Sequence, residues 1–184
     1  MAANLALLED HVARGGSASL LRGEGEVNPE LEHALDPQVD GQGEALAVLT
    51  GGARDLYDIH LPALQAMGGR IFHMGPLGSA AVIKVITNML AFIHLLADAE
   101  ALMLAKRGGL DLGQAWHAIA ASSGNSFVHE TEGALILNGS YDIAFNIDLA
   151  MKDLGFALGF GKEFGVPLDL ASMTNQTYIA AKAA

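Results

Sequence analysis

Apolar residues along the 184-residue chain recur at two different periods. Ala45-Leu46-Ala47-Val48-Leu49-Thr50 is a short apolar run stopped by Gly51-Gly52, which predicts a buried strand. Between Asp55 and Met67, the residues Leu56, Ile59, Leu64 and Met67 follow roughly helical spacing, and Pro62 within that stretch predicts a kink or a late start. Gly68-Gly69 closes this helix, and Arg70 to Met74 predicts a second strand. From Gly75 onward the period is helical. Gly75-Pro76-Leu77-Gly78-Ser79 leads, with Gly78 or Ser79 as N-cap, into a long helix that runs to Lys106 and stops at Gly108-Gly109. Leu112 to Ala121, Val128 to Leu137, Ile147 to Phe164 and Leu168 to Ala183 predict four more helices. Ser122-Ser123-Gly124-Asn125-Ser126 is a turn, and Asn138-Gly139 and Gly165-Val166-Pro167 are stops. Met1 to Leu35 is weakly patterned, with a short capped turn at Asn28-Pro29-Glu30. The pattern predicts a mainly α protein in which one βαβ-like unit, too little sheet to stand alone, precedes a helical domain.

Composition narrows the picture. Hydrophobic residues make up 51% and charged residues 17%, which excludes disorder as a description of the whole chain. The net charge of -11 repels phosphate and argues against nucleic acid or anionic membrane as a partner. The chain has no cysteine, so disulfides and thiolate metal sites are excluded, in keeping with a cytoplasmic protein. Met1 to Ala13 lacks the basic start and unbroken apolar stretch of a secretory signal. Ile86 to Ala105 is the longest apolar region. Thr87, Asn88, His94, Asp98 and Glu100 interrupt it, which predicts a helix buried on most sides of a soluble protein rather than a membrane span. The seven histidines form no H-x-x-x-H pair, so no metal site is expected, and His94 is expected to make a structural hydrogen bond.

Lys84 and Asn88 are the residues that suggest chemistry. They stand four apart on one helix face, among Ala80, Ala81, Val82, Ile83, Val85 and Ile86. A lysine there either snorkels to solvent from the helix start or is held in a site as a proton-transferring amine. Lys152-Asp153 reads either as a solvated charge pair or as two functional residues serving different neighbours, because adjacent helix positions do not face each other. Ser122, Ser123 and Ser126 either cap helices or touch a substrate carboxylate.

The stretch from Gly75 to Asn88, G-P-L-G-S-A-A-V-I-K-V-I-T-N, resembles the G-x-x-G-x-(G/A)-x-x-x-K-x-x-x-N signature of the β-hydroxyacid dehydrogenase family. That family includes 3-hydroxyisobutyrate dehydrogenase and, more distantly, 6-phosphogluconate dehydrogenase. The likeness continues through Asp98-Ala99-Glu100-Ala101, Gly108-Gly109-Leu110-Asp111, the segment from Phe145 to Lys152-Asp153-Leu154, and Pro167-Leu168. Upstream, Leu46 to Gly52 and Leu64 to Gly68 resemble the last strands and helix of the family's nucleotide-binding domain, so the likeness covers roughly Asp36 to Ala184.

The resemblance implies a 6-phosphogluconate-dehydrogenase-C-terminal-like all-α domain over 77–184 for substrate binding and dimerisation. Residues 36–76 would be an α/β remnant of a Rossmann domain, and 1–35 a segment of no assigned role. It implies an NAD(P)-dependent oxidoreductase acting on a small 3-hydroxy acid or its semialdehyde, in a homo-oligomer (dimer or tetramer). Lys84 would be the general acid/base and Asn88 its partner at the substrate. Phe145, Asp153 and Ser122 would line the substrate pocket. Lys152, Gly75 and Gly78 would lie beside an NAD or NADP cofactor.

Two family features are absent from the sequence. No strand followed by G-x-G-x-x-G and a helix occurs, and Asp36-Pro37-Gln38-Val39-Asp40-Gly41 replaces the D-A-P-V-S-G-G substrate loop, with Asp40 where serine would stand. The chain also stops without the family's late G-x-G-x-x-D segment. These departures imply an incomplete or rearranged member that does not hold NAD(P) alone. They also favour the alternative reading, a non-catalytic helical dimerisation module derived from the family. A third reading, an imine reductase, is disfavoured by Lys84.

Overall fold

The computed structural model describes residues 47–139 and 145–183. The N-terminal cap at Asn28-Pro29, the Asp36 to Gly41 stretch, His11, His33 and the first two residues of the expected first strand lie outside the described residues. The elements are β1 (Ala47–Thr50), α1 (Arg54–Met67), β2 (Arg70–His73), α2 (Ser79–Arg107), α3 (Leu112–Ala120), a π-helical turn (His129–Gly133) running into α4 (Ala134–Asn138), α5 (Ile147–Phe164) and α6 (Asp169–Ala183). The protein is mainly helical, with a short α/β unit ahead of the helices, as the sequence predicts.

The chain divides into two compact units, one through Lys84 and one from Val85. In the first, β1 and β2 pair in parallel, from Ala47 opposite Arg70 to Thr50 opposite His73. Thr50 Oγ1 donates to the Phe72 carbonyl at 3.0 Å and reinforces the pairing. Val48 and Leu64 form the buried centre, with Tyr57 and Ile71 packed against it. Pro62 does not delay α1, which begins at Arg54 and runs through it. Gly51 explains the stop after β1. A Cβ there would lie 3.0 Å from the Pro76 carbonyl oxygen and 3.1 Å from the Ala80 nitrogen, so only glycine lets the strand end pass this close to the start of α2.

The second unit is built on one larger core. Phe92 of α2, Ala150 and Leu154 of α5, and Ala171 and Tyr178 of α6 are buried together. Tyr178 donates its hydroxyl to the Phe92 carbonyl at 3.0 Å, so the only polar atom of its ring is satisfied inside the core. Burial pushes the Tyr178 phenol up to about 12. Asn146 caps α5 by accepting from Leu149 N at 3.0 Å, and Gly165 in the left-handed region ends it. Asp111 caps α3 in the same way through Gln114 N at 2.9 Å.

Three expectations are corrected. The helix expected over 128–137 opens instead as a π-helical turn, because His129 is drawn into a buried bond with Asp98 that regular helical geometry does not set up. The long helix α2 is not buried on most sides. Its core-facing residues Phe92, Asp98 and Leu102 are buried, whereas Ile86, Leu90, Met103 and Leu104 are exposed, Leu104 at 76%. Among the described residues, α2 is the helix that by length and composition alone could also cross a membrane. His94 is exposed on α2, and among the described residues no hydrogen bond holds its side chain.

Candidate functional site

The residues that suggest chemistry fall on α2 and α5. Lys84 is partly buried, one helical turn before Asn88. Asn88 Nδ2 donates to Asp153 Oδ2 of α5 at 2.7 Å, a contact between residues 65 positions apart. This bond joins the two segments that the sequence marks, and it fixes the side chains of an amide and a carboxylate beside each other on partly buried helix faces. Lys152 Nζ lies 3.4 Å from Asp153 Oδ1 although the two residues are adjacent, because the long lysine stem folds back over its neighbour. With 56% of its side chain exposed, Lys152 makes a loose surface pair of little energetic weight. Asp153 is therefore shared between an amide donor and an ammonium.

The other expected site residues are placed differently. Phe145, just before α5, stacks on Phe92 with ring centroids 5.5 Å apart and packs against the helical core. Ser122 is exposed, and its hydroxyl is used within the turn, donating to the Ile119 carbonyl at 2.9 Å and accepting from Gly124 N at 3.2 Å. Those bonds close the turn after α3. Gly75 and Gly78 both have positive φ, at 116° and 93°, in the loop between β2 and α2. Gly75 accepts from Gly52 N at 2.9 Å through its carbonyl, tying this loop to the turn after β1. No group of metal-binding side chains occurs among the described residues.

One buried cluster went unmarked in the sequence. His129 is 1% exposed, with Nδ1 2.6 Å from Asp98 Oδ1 and Nε2 2.9 Å from the Trp116 carbonyl. Trp116 returns the contact, donating its indole N–H to the His129 carbonyl at 2.9 Å and stacking on the imidazole at 5.4 Å. Ser126 Oγ accepts from His129 N at 3.0 Å. Its members lie at positions 98, 116, 126 and 129, on three different elements and the turn between them, so no spacing rule links them.

The fold is that of the helical half of a nicotinamide-linked dehydrogenase. The profile described as the NAD-binding part of NADP-dependent 3-hydroxyisobutyrate dehydrogenase matches residues 78–184. The chain belongs to that family. Among curated proteins it is similar to L-threonate dehydrogenase of Cupriavidus necator, 31% identical over 82% of this chain and 52% of the relative. It is also similar to 2-(hydroxymethyl)glutarate dehydrogenase of Eubacterium barkeri, 32% identical over 75% of this chain and 46% of the relative. Among solved structures, 3-hydroxyisobutyrate dehydrogenase of Mycobacterium tuberculosis with L-serine superposes with a TM-score of 0.68 at 28% identity, over 76% of this chain and 50% of that one. The chain spans about half the length of the curated relatives it matches.

The family's cofactor class is NAD or NADP. Its pyrophosphate cradle does not fit the residues present. The described sheet has two strands, and its β1-to-α1 turn carries Gly51-Gly52 with Ala53 as an N-cap that offers no side-chain bond. The G-x-G-x-x-G turn that would approach the phosphates is missing from the sequence.

Proposed function

We propose that the protein acts in NAD(P)-linked oxidation of a small 3-hydroxy acid, or reduction of its semialdehyde, and that this chain supplies the hydroxy-acid end of the site. Lys84 takes the proton that the substrate hydroxyl loses as the C–H hydride leaves, and returns it in the reverse direction. Asn88 hydrogen-bonds the substrate with its free amide capacity while Asp153 fixes its orientation. Lys152 would hold the cofactor by lending it positive charge, and Gly75 and Gly78, with no side chain, would admit its approach. Hydride chemistry would be supplied by the nicotinamide when bound. In this reading residues 36–76 are the end of a nucleotide-binding domain and 77–184 the substrate and dimerisation domain.

The bond from Asn88 to Asp153 is the observation that supports the reading most strongly, because it pairs the two motifs that a hydroxy-acid site needs. A turnover screen of 3-hydroxy acids and semialdehydes at millimolar NAD and NADP, high enough to load a weak cofactor site, run on the wild type and Lys84→Ala, tests it. Wild-type turnover on at least one substrate and a loss of at least about 100-fold in the variant is the expected result for an acid/base residue. Equal behaviour of the two proteins on every substrate contradicts it.

A second copy of the chain is the expected partner, in a cytoplasmic dimer or tetramer. Ile86, Leu90, Ala97, Ala101 and Leu104 are exposed along α2. At about 100° per residue they form one stripe, opposite Lys84 and Asn88. That stripe also favours a second reading, a helical module that assembles without catalysis. The same screen separates the two.

A further inference from the structure

Both ring nitrogens of His129 face acceptors, Asp98 Oδ1 from α2 and the Trp116 carbonyl from α3. A neutral imidazole has only one N–H and satisfies only one of them. Both bonds form when the pair holds one extra proton, on the ring or shared with the carboxylate. Loss of that proton leaves a lone pair pointed at an oxygen inside the protein, where water does not reach. Asp98 worsens the mismatch, since its second oxygen Oδ2 is buried with no hydrogen-bond partner. That oxygen sits over Gly133, where a Cβ would come within 2.8 Å of it.

We infer that Asp98 and His129 form a buried, proton-dependent latch that fastens the segment from α3 through the π-helical turn to α2, and that raising the pH releases it. The inference does not rest on the hydroxy-acid reading. Among the described residues, the charged groups acting on the ring are few. Asp98 comes from α2. α3 presents the Trp116 carbonyl and indole, with His117 set edge-on to that indole at 4.8 Å. The latch's own turn contributes Glu130, which is exposed and accepts from Asn125 Nδ2 at 2.7 Å, and Glu132, which is bonded by the Thr131 hydroxyl.

Burial works against the charged ring, yet the Trp116 carbonyl, then Asp98, then Glu130 outweigh it and hold His129 above the usual histidine value. The closed latch thus binds the proton more tightly than the open one. Its stabilisation is complete below about pH 6.5 and drains away as the pH climbs through the raised value.

Amide hydrogen exchange on the 184-residue chain between pH 6 and 9, corrected for the intrinsic rate, tests this. Protection of amides in residues 112–133 should fall by up to about tenfold per pH unit above about 6.5, while α5 amides keep theirs. Asp98→Asn should abolish the slope, because its amide can donate to an unprotonated Nδ1. A flat wild-type profile, a slope spread equally over α5, or an unchanged slope in Asp98→Asn overturns the latch. Should that variant fail to fold, the wild-type ring-nitrogen resonances decide. Two protonated nitrogens persisting past pH 7 support the latch, and titration at or below about 6.5 overturns it.

Discussion

The two units of the chain hold themselves together by different means. The first relies on backbone: four residue pairs of parallel strand, a Thr50 reinforcement and a close pass at Gly51, around a buried centre of Val48 and Leu64. The second relies on side chains, with Phe92, Leu154 and Tyr178 at the centre of a wider core, the Tyr178 hydroxyl bonded to the Phe92 carbonyl, and a separate buried contact between His129 and Asp98. A backbone-built unit offers places for close approach. A side-chain-built unit offers places for positioned polar groups, and the bonded pair Asn88 and Asp153 is found there.

Core truncation should separate the two most clearly. Leu154 is 0% exposed and Leu64 is 1% exposed. Leu154→Ala should cost toward the upper end of about 2–5 kcal/mol, and Leu64→Ala toward the lower end, since a small cluster collapses more readily around a cavity. Urea unfolding followed by circular dichroism checks the order, and a larger loss at Leu64 would break the contrast. Gly133→Ala drives a methyl against Asp98 and should destabilise by about 1–3 kcal/mol. It should also weaken the pH slope of the latch in the same exchange experiment. Tyr178→Phe leaves the packing and removes one satisfied hydroxyl, for a smaller loss of about 0.5–1.5 kcal/mol in the same urea assay. Lys152→Ala should leave stability within about 0.5 kcal/mol, as expected for an exposed pair. A loss above that would place Lys152 in the core's support rather than at a cofactor.

The side-chain unit was the more legible of the two wherever its limits are local. Asn146 and Gly165 bracket Ile147–Phe164, and the helix has the limits that the sequence predicts. Gly108-Gly109 ends α2 one residue after the expected Lys106. What the sequence hid is non-local. The π-helical turn follows from a histidine bonded to an aspartate 31 positions away, and no periodicity carries that information. The exposed stripe on α2 was hidden for a related reason. Apolar residues on every face of a helix report that something covers it, without saying whether the cover is the same chain. Of the candidate site, the sequence marks Lys84 and Asn88 on α2 and Lys152 and Asp153 on α5, and the bond between Asn88 and Asp153 links the two elements. The uses of Phe145 in packing and of Ser122 in its turn depend on neighbours that only the fold supplies.

Cofactor binding sharpens the contrast further. With no G-x-G-x-x-G turn in its sequence, the 184-residue chain should show no micromolar affinity for NADH or NADPH in calorimetry. Micromolar binding would mean that the backbone-built unit carries a phosphate cradle of another kind.

The most direct measurement of the central claim follows the Asn88 side-chain amide by nuclear magnetic resonance while a 3-hydroxy acid is titrated in, with NAD and then NADP present. A substrate held at this site should shift the Asn88 resonances and those around Asp153 in a saturable manner, and Asp153→Ala should abolish the effect. Saturable shifts that appear only elsewhere, or no shifts with any 3-hydroxy acid, would contradict a hydroxy-acid site on α2 and α5.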